Sequence, residues 1–445
     1  MEGYNTQYMT QHFLVGMLQT TGRLLSGLLL LCLGLAGCAP ASLAPRGAID
    51  GVVAAVPAGS AAQALQAAAR QYTAETGTTI RVDVIAADAY FDRASAVLLS
   101  GLDRYDLLYL PADTLPRWVQ YHALRPITAD VDGEPLAPWL PALTFSQDGA
   151  EQLFALPVQP DPLLLWYRAD LQSAAGLPGP STGLEAFRAN ARALNAPPDH
   201  YAVAIAGGEL DAGLDYAALL AGAPGDLLNA FTSVEGESTA RQALTLYAAL
   251  REEGLADPTS DQAARGDVIN ALREGRAAMG FAPLSAGADL LDCEISPLAC
   301  AEGKPLLKAA PLPGEGCAVI SSLSVWAVPL RAANPEAAGL FAAWLASEEG
   351  ARAWSAGGGM PAHTTVLQDL PEGKHALLPE EIAPILGRAE CYEHIFLKHP
   401  NGDVLWNALH RSAHAAVAGE QSPETAYERA AEDIRQGLRQ EGAGR

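Results

Sequence analysis

The chain has 445 residues and a formal net charge of −23, because 51 acidic side chains outnumber 28 basic ones. A chain of this length is too long for a single hydrophobic core, so we expect two lobes. The acidic balance argues against a nucleic-acid-binding protein, since no basic stripe is available to neutralise phosphates.

The first informative segment is an apolar run at residues 24–35, which follows Arg23. The run has the length of a signal-peptide core and is too short to span a bilayer comfortably. It leads into Leu35-Ala36-Gly37-Cys38, which resembles a bacterial lipobox. We expect cleavage before Cys38 and attachment of the chain to the lipid membrane through two or three acyl chains on that residue. A membrane-anchor helix with a chance cysteine is the alternative. The long polar stretch before Arg23 leaves open whether Met1 or Met17 is the true start.

Four cysteines remain after Cys38, and an even number in an exported protein predicts disulfides. Four cysteines allow three pairings. We favour a local bond between Cys293 and Cys300 and a long-range bond between Cys317 and Cys391. A metal site is the rival interpretation, but the spacings are not those of CxxC pairs.

Strands and helices alternate in the first part of the chain after a short tether. Strands are predicted at residues 49–56, 79–85 and 105–110, and helices at 61–73 and 89–99. This order is typical of a parallel α/β sheet, in which ligands bind at the carboxyl ends of the strands. Those ends are residues 57–60, 86–90 and 111–113.

The middle of the chain continues this pattern, and the C-terminal third is mostly helical. Further strands are predicted at residues 153–158, 163–167, 201–206, 277–281 and 319–328. Further helices are predicted at residues 184–194, 213–221, 238–253, 268–273, 335–345, 347–354 and 423–439. Residues 286–316 are loop-rich, and three glycines break the chain at 357–359.

A series of short motifs occurs in a fixed order along these elements. They are QYTAETG at 71–77, YDLLYL at 105–110, FALP at 154–157 with LWYRADL at 165–171, EGLADP at 253–258, EGRAAMG at 274–280, NPEAA at 334–338 and GGMPA at 358–362. Together they resemble the motifs of the bacterial extracellular solute-binding proteins of family 1, the maltose-binding-like receptor lipoproteins of ABC importers. The resemblance covers essentially the whole mature chain.

The resemblance implies an α/β protein with the periplasmic-binding-protein type II fold. Two lobes, each a mixed, mostly parallel sheet flanked by helices, would enclose a ligand cleft. The implied organisation is a signal peptide at 1–37, a lipidated tether at 38–47, lobe 1 at 48–158 plus 315–360, and lobe 2 at 159–314 plus 361–445. Crossovers between the lobes would lie near 157–161, 312–317 and 357–361.

The function implied is that of a lipid-anchored, extracytoplasmic receptor of an ABC importer, at the cell surface or in the periplasm. It would capture a small solute, most consistent with a carbohydrate, by hinge closure and deliver it to the transmembrane permease subunits. The resemblance implies a monomer that needs no cofactor, binds no nucleic acid and is not an enzyme.

Binding a polyhydroxylated solute requires convergent acceptors and donors and an apolar face against the sugar C–H bonds. By the resemblance, Asp113, Asp161 and Glu209 are the carboxylates that accept from solute hydroxyls. Gln159, Tyr90 and Ser60 are cleft candidates by position, and Trp326 is the candidate for stacking. Structural alternatives stand beside these roles: a helix N-cap for Asp113, a turn former for Asp161, an exposed loop acid for Glu209 and a core residue for Trp326.

Two rival classes of function remain. The motifs of α/β-hydrolases, P-loop enzymes and zinc proteases do not occur in the sequence, which argues against an enzyme. His410 and His414 lie four residues apart on a predicted helix, near His394 and His399. Such a cluster could bind a metal or metal chelate. A receptor for a metal chelate or for another small polar solute is therefore the alternative to a carbohydrate receptor. The second rival class is a structural surface lipoprotein without a ligand.

Overall fold

The computed structural model describes residues 51–180, 183–208, 211–220, 229–313, 319–369 and 402–442. All of them belong to one compact unit, Ile49–Arg445. Several residues singled out above lie outside the described ones: Cys38, Glu209, Cys317, Cys391, His394 and His399. Among the described residues, no helix combines the length and apolar character needed to cross a membrane.

The described strands form one large mixed sheet and two short hairpins. They are β1 (Val52–Pro57), β2 (Ile80–Ile85), β3 (Leu107–Pro111), β4 (Leu124–Arg125), β5 (Thr144–Gln147), β6 (Ala150–Leu153), β7 (Ala155–Arg168), β8 (Tyr201–Ala204), β9 (Ala277–Pro283), β10 (Cys300–Ala301), β11 (Lys304–Pro305), β12 (Leu307–Ala310) and β13 (Val319–Pro329).

Helices pack against this sheet and against one another. They are α1 (Ser60–Thr76), α2 (Ala87–Ser100), α3 (Leu115–Gln120), α4 (Leu140–Leu143), α5 (Ala169–Ala174), α6 (Leu184–Leu194), α7 (Ala212–Leu220), α8 (Asn229–Thr232), α9 (Val234–Glu252), α10 (Arg265–Arg273), α11 (Gly287–Leu290), α12 (Pro335–Ala346), α13 (Glu348–Ala356), α14 (Thr364–Gln368), α15 (Gly402–Ala418) and α16 (Pro423–Gly442).

The strand order of the large sheet is β2-β1-β3-β13-β7-β9-β8. β1 is parallel to both β2 and β3, and β8 is parallel to β9. Between these two parallel groups lie β13 and β7, each antiparallel to its neighbours. The sheet is therefore two parallel α/β halves joined through a central antiparallel pair.

β7 is one strand where the sequence analysis predicted two separate strands. Residues 155–162 pair with β13, and Leu163–Tyr167 pair with β9. Pro160 and Pro162 suggested a break, because proline cannot donate to a ladder. In the structure, residues 155–162 have a described neighbouring strand on one side only, β13. The N–H groups that the two prolines lack are therefore not needed for hydrogen bonds to a second strand. β7 thus passes from one half of the sheet into the other without interruption.

Two of the sequence motifs meet at a buried carboxylate. Asp106 is fully buried, and its side chain accepts hydrogen bonds from the backbone amides of Val53 and Asn334, both at 2.8 Å. The Asn334 side chain in turn donates to the Gly51 carbonyl at 2.7 Å. The YDLLYL and NPEAA motifs therefore fasten the start of β1 to the start of α12.

The C-terminal helices pack against α7, α8 and α9, in the half of the protein that contains β8. The Tyr427 hydroxyl on α16 donates to the Ala230 carbonyl at 3.2 Å, and the Tyr427 ring stacks on Phe231. Gly207, just after β8, has no room for a side chain, because a Cβ atom there would lie 2.3 Å from the Ser260 carbonyl oxygen and 2.5 Å from Val417. The loop after β8 is therefore packed between α15 and the segment that follows α9.

Replacing Gly207 with alanine should lower the free energy of unfolding by about 1–3 kcal/mol, because the new methyl group overpacks this contact. Urea denaturation measures the change. Gly339, on α12, is the matched control, since a Cβ atom there meets nothing within 4 Å. Gly339→Ala should leave stability unchanged or raise it by up to about 1 kcal/mol through helix propensity. An equal response of both variants would show that the Gly207 contact is not tight.

The loop-rich segment after β9 contains the local cysteine pair that the spacing predicted. The structure joins Cys293 to Cys300, with Cα atoms 5.7 Å apart. Cys300 also begins the short β10–β11 hairpin. Cys317 and Cys391, the predicted long-range pair, both lie outside the described residues.

Candidate functional site

The candidate site lies where β7 and β13 cross from one half of the sheet to the other. The register between them shifts twice, between Ile320 and Ser322 and again between Ser324 and Val325. Such bulges redirect side chains and interrupt regular pairing. Ala362, which directly follows the last predicted crossover at 357–361, donates its amide to the Val158 carbonyl at 3.1 Å. Three chain segments therefore meet at this point.

Asp161 is the most tightly held polar side chain at the crossing. One carboxylate oxygen accepts from the Ser285 amide at 3.0 Å, and the other accepts from the Ser285 hydroxyl at 2.7 Å. Ser285 belongs to a short 3₁₀ helix that directly follows β9. Burial raises the pKa of Asp161, and the two bonds from Ser285 lower it, with a net shift upward.

A second polar contact lies beside Asp161. Ser324 hydrogen-bonds the side chain of Tyr109, and Asp161 is close enough to act on the same phenol. Burial raises the pKa of Tyr109 most, and the charge of Asp161 adds to that rise. Gln159 is half-buried and pairs with Ser324 across the strands. Its side-chain oxygen has no hydrogen-bond partner among the described residues.

Two further candidates lie at the ends of neighbouring strands. Asp113 is exposed in a 3₁₀ turn, Ala112–Thr114, that follows β3. Ser60 is the exposed first residue of α1, next to the end of β1. Because β1, β3, β13, β7 and β9 are consecutive in the sheet, the structure places Ser60, Asp113, Gln159 and Asp161 along one edge.

Tyr90 occupies a different environment from the other candidates. Its side chain is 4 % exposed, and its hydroxyl donates to the Ala55 carbonyl at 3.0 Å and accepts from the Tyr109 amide at 2.9 Å. It therefore ties β1 to β3 beneath α2. These contacts favour a packing role over a direct contact with a solute.

Trp326 is also in the core. Its side chain is fully buried between β3 and α13, with ring centroids 5.2 Å from Tyr109 and 6.1 Å from Trp354. This position agrees with the alternative prediction that Trp326 is a core residue. A solute could not stack on the indole in this arrangement.

The histidine pair on α15 is used for packing. His410 accepts from the Gly213 amide at 3.0 Å, and His414 lies 2.7 Å from the Gly207 carbonyl oxygen. Burial lowers the pKa of His410. The described residues contain no group of three or more histidine, cysteine or carboxylate side chains arranged to hold a metal ion.

Three residues at the crossing were not among the sequence candidates: Tyr109, Ser285 and Ser324. Three serines, at 321, 322 and 324, interrupt an otherwise apolar strand, which is a signal of a polar stretch in β13. No comparable signal marked Ser285, which meets Asp161 across 124 residues of sequence.

Comparisons with known proteins agree with this architecture. The family model described as bacterial extracellular solute-binding protein matches residues 56–352. No curated protein matches the sequence significantly.

Solved structures with the same two-lobe fold match nearly the whole chain. A sugar transporter from Rhizobium etli in an open conformation has a TM-score of 0.67 and 16 % identity, covering 87 % of this chain and 99 % of its own. A solute-binding protein from Thermotoga lettingae bound with α-D-tagatose has a TM-score of 0.65 and 20 % identity, covering 88 % and 100 %. A ribitol complex from Agrobacterium radiobacter has the same four values: 0.65, 20 %, 88 % and 100 %.

The family match spans about two thirds of the sequence and includes all of β3, β7, β9 and β13, which build the crossing. The chain therefore belongs to the bacterial extracellular solute-binding proteins, with the two-lobe α/β fold of that family.

Proposed function

We propose that this chain is the solute-binding receptor of an ABC importer and that it binds a neutral polyhydroxylated solute, a sugar or sugar alcohol. The observation that carries the proposal is the fixed carboxylate at the strand crossing: Asp161, held by both the amide and the hydroxyl of Ser285. A carboxylate oriented in advance binds hydroxyl groups without the entropic cost of ordering its side chain.

The neighbouring groups complement that carboxylate. Gln159 offers an amide whose oxygen has no partner among the described residues, and Asp113 and Ser60 lie along the same edge of the sheet. Acceptors of this kind suit vicinal hydroxyl groups, because each carboxylate can accept from two of them. The relatives that were solved with tagatose and ribitol support the same ligand class. Glu209, after β8, is retained in the proposed site by the resemblance alone.

The joined strands support capture of the solute by closure of the lobes. We place the hinge in β7 and β13 near Asp161, with lobe 1 at residues 48–158 plus 315–360 and lobe 2 at 159–314 plus 361–445. Lipid attachment at Cys38 would hold the receptor at the membrane, where the closed form delivers its solute to the permease subunits. Solute binding that favours the closed state is the general mechanism of hinge proteins.

A thermal-shift screen of the purified protein tests the proposal. The panel contains D-tagatose, ribitol, D-mannitol, maltose and other mono- and oligosaccharides, with amino acids, polyamines and divalent metals as contrasting classes. A solute at one hundred times its dissociation constant adds about 2.7 kcal/mol of stability, which raises Tm by a few degrees in a protein of this size. We expect a shift with a sugar or polyol. A shift only with metals or amino acids, or with nothing in the panel, would contradict the proposal.

A further inference from the structure

A buried ion pair lies in the β8–β9 half of the sheet, apart from the strand crossing. Its members are Asp215 on α7 and Arg265, the first residue of α10. The Asp215 side chain is 1 % exposed, and the Arg265 side chain is 14 % exposed. Replacing a buried ion pair with apolar groups is often neutral or stabilising, so a gain in stability does not by itself account for its presence.

Arg265 joins α7 to the end of β9. One terminal nitrogen of its guanidinium donates to Asp215 Oδ1, and the other donates to the Phe281 carbonyl at 2.7 Å. The Ala206 backbone amide also hydrogen-bonds Asp215. Phe281 lies in β9, two residues before its end, and Ala206 follows the end of β8 by two residues. The ion pair therefore ties together the carboxyl ends of two neighbouring strands.

The ion pair lies at the point where β8 and β9 separate. Their parallel register ends at Ala204 and Gly280. Beyond that point, one group on each strand is held by a side chain. The Ile205 amide donates to the Ser260 hydroxyl at 3.2 Å, and the Phe281 carbonyl accepts from the guanidinium. Side chains thus fix the two strand ends where pairing between the strands stops.

The end of β9 in turn determines where Ser285 lies. β9 is antiparallel to β7, and the last pair in register is Leu163 with Pro283. Continuing this register by two residues places Asp161 opposite Ser285, and the structure contains that contact, through the Ser285 amide and hydroxyl. The carbonyl held by the guanidinium belongs to Phe281, four residues before Ser285. A displacement of the end of β9 would therefore move Ser285 relative to the Asp161 carboxylate.

We propose that Asp215 and Arg265 are positioning residues of the solute site: by fixing the carboxyl end of β9, they keep Ser285 where it orients the Asp161 carboxylate. The pair acts through the backbone of β9 and needs no contact of its own with the solute. This inference rests on the proposed function, because the orientation of Asp161 affects the solute only when the strand crossing binds it.

A crystal structure of Arg265→Lys, compared with one of the wild type, tests the positioning step without a solute. A lysine ammonium is a single point charge and does not reproduce the planar fork that reaches both Asp215 and the Phe281 carbonyl. We expect the end of β9 to shift and the Ser285 hydroxyl to lie more than about 3.5 Å from Asp161, beyond hydrogen-bond distance. An unmoved Ser285, with both bonds to Asp161 intact, would overturn the proposal whatever the protein binds.

Isothermal titration calorimetry tests the consequence for binding, with D-tagatose and ribitol first and then the panel sugar that binds most tightly. Arg265→Lys should raise the dissociation constant about three- to tenfold. Adding Arg265→Lys to Ser285→Ala should raise it no further, because the ion pair acts through Ser285. A purely structural role would not produce this coupling.

Arg276→Lys is the matched control. Arg276 directly precedes β9 and forms an ion pair with the buried Asp257 at 2.8 Å, so it holds the opposite end of the same strand. Arg276→Lys should lower stability in urea denaturation but leave the solute affinity unchanged.

Provided that Asp161→Ala weakens binding, three results would overturn the proposal. They are an unchanged affinity in Arg265→Lys, equal losses of affinity in Arg265→Lys and Arg276→Lys, and full additivity of Arg265→Lys with Ser285→Ala. When Asp161→Ala leaves binding unchanged, it is the proposed function that fails at this site, and the crystal structures still decide the positioning step. Where Arg265→Lys does not fold, Asp215→Asn replaces it in every comparison, because the amide keeps the shape of the carboxylate without its charge.

Discussion

Replacing Asp106 with alanine should lower the free energy of unfolding by about 3–5 kcal/mol, because two backbone donors lose a charged acceptor in the core. The Val53 amide is buried in β1, and the Asn334 amide precedes α12. Guanidinium denaturation of the variant and the wild type at one pH measures the difference.

Asp106→Asn separates the loss of charge from the loss of volume. The amide can accept one of the two hydrogen bonds but turns its NH₂ group toward the other donor, so we expect a substantial loss of stability here too. Asp130, which is exposed, is the control for the alanine change. Asp130→Ala should alter stability by less than about 0.5 kcal/mol. A loss below about 1 kcal/mol in Asp106→Ala would contradict the interpretation of the motif as a structural tie.

Replacing Asp161 with alanine should raise the dissociation constant of the solute found in the screen by about ten- to one-hundredfold. This range corresponds to about 1.4–2.8 kcal/mol, the value of hydrogen bonds to a charged acceptor. Ser285→Ala should weaken binding less, because the carboxylate stays but loses its orientation. Isothermal titration calorimetry measures both affinities. Asp433, an exposed residue of α16 paired with Arg411, provides the control, and Asp433→Ala should leave the affinity unchanged. Unaltered binding by Asp161→Ala would remove the crossing from the site.

The pH dependence of binding provides a second readout of Asp161. Because burial shifts its pKa upward, protonation should begin at a higher pH than for an ordinary aspartate, and affinity should fall as the pH falls through that raised value. Its effect on stability has the opposite sign. A carboxyl with a raised pKa in the folded state stabilises the fold at low pH, and that contribution is lost as pH rises through the raised pKa. Asp161→Asn should flatten both profiles.

The order of elements could be predicted from the sequence because periodicity and turn residues act locally. The family was predicted from the resemblance of short motifs to those of known proteins. The junction between the halves could not be predicted. By local rules, Pro160 and Pro162 indicate that the strand is interrupted. The strand nevertheless continues as β7, because residues 155–162 have no described partner strand on the side away from β13. Pairing partners decide whether a proline is tolerated in a strand, and pairing is a property of the whole fold.

The candidate site could be predicted from the sequence only in part, because side-chain directions and long-range contacts also depend on the whole fold. Strand ends can be located from the sequence, and Ser60, Asp113, Gln159 and Asp161 do lie along one edge of the sheet. Tyr90 also follows a strand end, but it is in the first turns of α2 with its side chain turned inward. Position along the chain does not give the direction of a side chain on a helix. The Ser285 contact depends on two segments far apart in sequence.

The central antiparallel pair, β13 and β7, also affects how early the protein can fold during synthesis. β3 needs β13 as its neighbour, and the pairing of Leu108 with Ala327 joins residues more than two hundred positions apart. The half of the sheet that is made first therefore stays incomplete until nearly three quarters of the polypeptide is available. Long-range pairing of this kind slows folding. In a family of extracellular proteins, a chain that is slow to collapse has more time to be exported before its structure closes.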